Sequence, residues 1–114
     1  MTDDTCLFCR IVSGAIPATL VAETPHAIAF RDIAPKAPVH VLVVPRRHIA
    51  SLAEASDPAE LGEVAALAAA VARQEGVAAS GYRVVTNVGA DGGQTVGHLH
   101  LHVLGGRAMG WPPG

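Results

Sequence analysis

The sequence predicts an α+β fold built on an antiparallel sheet. One stretch, Asp57 to Gly76, carries the apolar spacing and end signals of a long helix. Several short β-branched runs read as strands. The links around the helix are short, and a doubly wound sheet would need more helices than this chain supplies. With 114 residues, half of them hydrophobic, one domain over residues 1–114 is expected.

Thr5 to Val12 reads as a short helix capped by Thr5 and ended at Gly14, with Phe8, Ile11 and Val12 on one face. Thr19 to Glu23 is a first strand. His26 to Arg31 alternates Ile28 and Phe30 against Ala27, Ala29 and Arg31, which suits a half-buried strand. Ile33 to Pro38 holds two prolines and reads as a loop. Val39 to Val44 is a buried strand interrupted by His40 and closed by Pro45. In the long helix Asp57 caps, Pro58 takes the first turn, and Leu61, Val64, Ala65, Ala68 and Val71 recur at helical spacing. Tyr82 to Val88 and Val96 to Leu104 are the last strands, joined by a hairpin loop over Gly89 to Thr95.

Composition excludes several classes. Only 16% of residues are charged, against 50% hydrophobic, so wholesale disorder is excluded. A net charge of −2 argues against a broad nucleic-acid face. The longest weakly polar run, Val64 to Ala72, is far short of the about 20 residues a membrane span needs. Asp3 and Asp4 replace the positive start of a secretory signal, so a cytoplasmic location is expected. In a reducing compartment Cys6-x-x-Cys9 is half of a zinc site, a redox pair or two buried thiols. No strand precedes it, which weighs against a thioredoxin-like role.

His98-Leu99-His100-Leu101-His102-Val103-Leu104 alternates strictly. In a strand the three imidazoles project one way and the apolar residues the other. His98 and His102 would lie ~13 Å apart along an extended strand, too far to share one ion. At least one imidazole therefore has another task. Neutral imidazole is a nucleophile and an acid-base group near neutrality. Ahead of it, Gly89, Gly92 and Gly93 allow backbone N–H groups to converge on an anion, with Gln94 and Thr95 as side-chain donors. Asp-Gly-Gly also makes an ordinary turn.

The alternating histidines resemble the signature of the histidine triad family. Gly92-Gly93-Gln94-Thr95-Val96, Gly105-Gly106-Arg107 and Trp111-Pro112-Pro113-Gly114 are similar to its Hint branch. The resemblance extends through Ile16-Pro17-Ala18, Ala29-Phe30-Arg31-Asp32-Ile33, Ala37-Pro38-Val39-His40 and Pro45-Arg46-Arg47-His48-Ile49. It implies a five-stranded antiparallel sheet with one long and one short helix, continued across a homodimer into ten strands. It implies hydrolysis of purine nucleoside 5′-phosphoramidates, with no organic cofactor and no membrane or nucleic-acid partner.

By position, His100 matches the family nucleophile, which forms a nucleotidyl-histidine intermediate. His102 and His40 match histidines of the same site. Asn87, Gly93, Gln94 and Thr95 match the phosphate and leaving-group region, where the family often has Ser at Thr95. Phe30, Asp32 and Ile33 match the purine and ribose pocket. Cys6, Cys9, His48 and His98 match a structural zinc site of bacterial relatives. Gly97 stands where many relatives carry an aromatic residue. The rivals are dinucleoside polyphosphate hydrolysis or nucleotidyl transfer on the same fold, a metal-dependent hydrolase ligated by His98 and His100, and a nucleotide-binding module with little catalysis. His26 has no role on this reading beyond a surface residue.

Overall fold

In a computed structural model, described over residues 4–114, eight elements follow one another. They are α1 (Leu7–Val12), β1 (Leu20–Glu23), β2 (Ala27–Arg31), β3 (Val39–Pro45), a 3-10 turn (Leu52–Glu54), α2 (Pro58–Gln74), β4 (Tyr82–Val85) and β5 (Leu101–Gly105). All strand pairs are antiparallel, in the order β1-β2-β3-β5-β4. The expected α+β fold and five-stranded antiparallel sheet are present. Among the described residues no helix is long and apolar enough to cross a membrane.

Strand alternation sorts side chains onto two faces. Ala27, Ala29, Val41, Val43, Leu101 and Val103 pack with Val64, Leu67, Ala68 and Val71 of α2. The small β2 residues leave room for a helix to lie close to the sheet. On the opposite face Ile28, Phe30, Leu42 and Val44 pack with Cys6, Phe8 and Cys9 around α1. Helix α2 therefore covers one face and α1 the other. β2 is buried on both faces along Ala27–Phe30, rather than half-buried as its alternation suggested.

Asp57 caps α2, accepting from the backbone N–H of Ala59 at 3.0 Å and of Glu60 at 3.4 Å. Its buried stripe is Val64, Leu67, Ala68, Val71 and Ala72. The helix rotates Ala65 outward instead of into the core as expected. Gly76 follows at φ 77°, a left-handed conformation that glycine adopts without a Cβ penalty.

Several boundaries differ from expectation. Cys6, not Thr5, caps α1, because its Sγ accepts from the Cys9 N–H at 3.4 Å. β4 ends at Val85, where Thr86 turns its hydroxyl to the His100 carbonyl at 2.8 Å. β5 begins at Leu101, not Val96. Its partner β3 ends at Pro45, which has no N–H, and the Leu99 N–H donates instead to the Ile49 carbonyl at 2.6 Å. The link between β4 and β5 is therefore the long segment 86–100, not a seven-residue hairpin. His26 is tied down: its N–H and Nδ1 meet the Glu63 carboxylate at 2.6 and 3.0 Å, joining the β1–β2 turn to α2.

Candidate functional site

Leu99, Leu101 and Val103 face α2. His98, His100 and His102 consequently project to the α1 face, although only His102 lies within a strand. His40 on β3 shares that face with Leu42 and Val44. The four imidazoles divide into three environments.

His98 is fully buried. Its Nε2 donates to the Pro45 carbonyl at 2.9 Å. A carbonyl only accepts, so the proton sits on Nε2 and the Nδ1 lone pair faces Cys6 Sγ at 3.3 Å and Cys9 Sγ at 3.5 Å. His48 Nδ1 lies 3.3 Å from Cys9 Sγ. One ligand atom from each of the four residues lies within 4.8 Å of the others. Tetrahedral zinc with ordinary bond lengths separates its S and N ligands by about 3.6 Å. The donor set and spacing fit such an ion, and the Pro45 carbonyl fixes the ligating tautomer. Burial, the largest effect, pushes the His98 pKa down against the Pro45 hydrogen bond, which favours the neutral ligand form.

His100 is 5% exposed. Its Nδ1 donates to the His98 carbonyl at 2.8 Å, which leaves the lone pair on Nε2. The Phe8 ring stands edge-on to it, centroids 5.1 Å apart.

His102 belongs to a chain of groups. The Lys36 N–H donates to His40 Nδ1 at 3.0 Å, so His40 carries its proton on Nε2. That proton points to His102 Nδ1 at 2.9 Å, with Asp32 Oδ2 at 3.4 Å as a second acceptor. His102, neutral and accepting at Nδ1, keeps its own proton on Nε2. Burial, reinforced by His100 and His40 and opposed by Asp32, pushes its pKa down to about 4. Burial also lowers the His40 pKa, Asp32 raising it and Lys36 lowering it. Asp32, His40 and His102 have donor atoms close enough for a metal. However, the Lys36 N–H needs a lone pair at His40 Nδ1, so Nε2 holds a proton instead of an ion.

Asp32 also accepts the Ala34 N–H at 2.7 Å, fixing the turn after β2. With Pro17, Ala18, Thr19, Arg31 and Ile33 it lines a depression of about 480 Å³. Ile33 is fully exposed there, whereas Phe30 is buried behind, against Phe8. Phe30 therefore presents no open face to the depression.

Segment 86–97 forms a self-bonded turn. Gly93 and Gln94 donate their N–H groups to the carbonyls of Ala90 and Gly89. The Gln94 amide donates to the Ala50 and Val96 carbonyls at 2.8 and 3.0 Å and accepts from the Gly89 N–H. Asn87 Nδ2 donates to the Gly92 carbonyl at 2.6 Å. Gln94 was expected as a free side-chain donor; its amide hydrogens instead fix the loop. A Cβ on Gly92 would stand 2.2 Å from the Val88 carbonyl oxygen, so only glycine fits. Thr95 and Gly97 sit exposed on the rim, and a Cβ at Gly97 would meet open space.

Sequence reasoning missed Phe8, the Pro45 carbonyl and the Lys36 N–H as parts of the site. Phe8 was legible as a buried helix position between the two cysteines. The two backbone groups carry no sequence signal.

Comparison with known proteins identifies the family of this fold. The HIT domain family matches residues 13–109, a span that leaves Cys6 and Cys9 ahead of it. An uncharacterised HIT-like protein of Synechococcus elongatus is 51% identical over the full length of both chains. A HIT family hydrolase from Legionella pneumophila superposes with a TM-score of 0.92 at 50% identity, covering 96% of this chain and 99% of that one. A HIT family hydrolase from Clostridium thermocellum gives 0.92 at 45%, covering 96% of each chain. With this fold, this match and the alternating histidines on one face of it, the chain belongs to the HIT domain family.

Proposed function

We propose that this chain is a Hint-like hydrolase that cleaves purine nucleoside 5′-phosphoramidates through a nucleotidyl-histidine on His100. The observation that carries the reading is the His100 tautomer: Nδ1 is held by the His98 carbonyl, so the Nε2 lone pair is available as nucleophile. The similarity to proteins named HIT family hydrolases supports a hydrolase.

His100 Nε2 attacks phosphorus, a P–N(His) bond forms, and the P–N bond to the leaving amine breaks. On this reading the amine leaves with a proton that the Thr95 hydroxyl relays from solvent, and neutral His102, which cannot give up its Nε2–H without becoming an anion, only hydrogen-bonds the departing nitrogen. Water then attacks phosphorus and gives a proton back to solvent through the same relay, the P–N(His) bond breaks, neutral His100 is regenerated, and the nucleoside monophosphate leaves. On this reading Asp32 and Ile33, which line a depression, receive the ribose and base. By the family resemblance, Asn87, Gly93, Gln94 and Thr95 belong to the phosphate and leaving-group side on this reading.

Cys6, Cys9, His48 and His98 hold a structural zinc, as their donor set and spacing support. All four ligand positions are filled by protein, so the ion supplies folding energy and not an activated water. The reading includes a homodimer joined at the β4 edge, where Tyr82 and Val84 are exposed.

Quenched turnover of adenosine 5′-phosphoramidate, followed by mass spectrometry, tests the chemistry. An adenylyl adduct on His100 is expected; an adduct on any other residue refutes the assignment.

A further inference from the structure

We propose that helix α1 positions the reactive imidazole of His100 and acts through the ring of Phe8. The reaction invoked rests on the phosphoramidase reading; the geometry does not.

One hydrogen bond, from Nδ1 to the His98 carbonyl, anchors one corner of the His100 ring. Imidazole χ2 torsions are broad, so a single anchor leaves the direction of Nε2 loosely set. Phe8 supplies the second restraint. Its ring is 5% exposed and meets His100 at 5.1 Å with an interplanar angle of 81°. It also meets His98 at 6.0 Å and 74°, and Phe30 at 5.4 Å and 67°. These edge-on contacts are the arrangement that ring quadrupoles favour. The His102 ring, 4.9 Å away at 63°, is a further neighbour of the His100 imidazole.

Both restraints touch α1. Phe8 lies between Cys6 and Cys9, whose sulfurs contact His98 and His48. The His98 ring is thus held between the Pro45 carbonyl of β3 and the sulfurs of the same short helix that presents Phe8, and the His98 carbonyl orients His100. Phe8 offers no group to a phosphate, a proton or a leaving amine. It is a positioning residue, and its effect belongs to the chemical step, where a small misplacement of a reacting atom costs about a hundredfold.

The test compares full-length wild type with Phe8→Leu and the ring-retaining Phe8→Tyr. It measures kcat and KM for adenosine 5′-phosphoramidate, the ¹⁵N imidazole spectrum of the resting protein, and the reactivity of Cys6 and Cys9 toward a maleimide. Phe8→Leu is expected to lower kcat roughly tenfold to a hundredfold with KM within about twofold. The His100 Nδ1–H signal should broaden, thiol reactivity should stay unchanged, and Phe8→Tyr should restore kcat. An unchanged kcat overturns the proposal. So does a rise in KM alone, which would make Phe8 only a wall of the base pocket behind Phe30. So does thiol exposure accompanying the loss, which would make the effect a collapse of the cysteine–histidine cluster. If wild type does not turn the substrate over, the phosphoramidase reading fails, and the spectrum decides positioning. An unbroadened His100 signal in Phe8→Leu then overturns the proposal.

Discussion

His40 Nε2 and His102 Nδ1 lie 2.9 Å apart and share one proton, and the Lys36 N–H decides that His40 owns it. The arrangement needs both rings neutral. Folding holds the His102 pKa at about 4, chiefly by burial, whereas an unfolded histidine titrates near ~6.5. Below that value the unfolded chain takes up a proton that the folded chain refuses. The contribution to stability is therefore complete above about pH 6.5 and declines as pH falls toward 4. His40, also lowered by burial, acts in the same direction. Urea midpoints should fall across this window, and His102→Gln should flatten the decline. A wild-type profile as flat as the variant's would contradict the shared proton.

His100→Asn should keep the far-ultraviolet circular dichroism of wild type. Its phosphoramidase rate should fall by at least about a thousandfold, as expected when a nucleophile is removed from a concerted site. Stopped assays resolve this, and a variant within tenfold of wild type excludes His100 as nucleophile.

One zinc per chain should be found by elemental analysis of protein purified without chelator. An ion held at a thousand times its Kd stabilises the native state by about 4 kcal/mol. Cys9→Ser should lose the ion and melt at least several degrees lower. Replacing zinc with cobalt should leave kcat within about twofold, because all four proposed ligand positions are protein groups. A large dependence on metal identity would point to an open catalytic ion.

Two glycines in one segment should respond oppositely. Gly92→Ala forces a methyl group against the Val88 carbonyl, a backbone atom that cannot swing away, and should cost about 1–3 kcal/mol. Gly97→Phe sets its Cβ in open space on an exposed position and should shift stability by no more than about 0.5 kcal/mol. Thermal melts of the two variants settle the contrast; equal destabilisation would show that the loop is not packed as described.

The elements were legible where local signals agree. Asp57, Pro58 and the apolar spacing placed α2, and the β-branched run at Val39 placed β3. The strict alternation of residues 98–104 correctly put three imidazoles on one face. It overstated the length of β5, because pairing partners and not alternation decide where a strand begins. Pro45 ends β3, and the chain before Leu101 hydrogen-bonds to Ile49 instead. Bringing Cys6, Cys9, His48 and His98 together required the family resemblance, since no periodicity links residues so far apart. The tautomers were beyond sequence because Pro45, Lys36 and His98 set them through backbone atoms.

The contact between Cys6 and His98 spans 92 positions. Closing a loop of that length carries an entropic cost of about 4 kcal/mol beyond the constant term. Contacts so distant along the chain form late, after the local hairpins and α2. During synthesis α1 can pack on Phe30, Leu42 and Val44 once β2 and β3 are made, but its contacts to His98 and His100 wait for residues 98–100. The His100 imidazole thus meets the Phe8 ring only when most of the chain has been made.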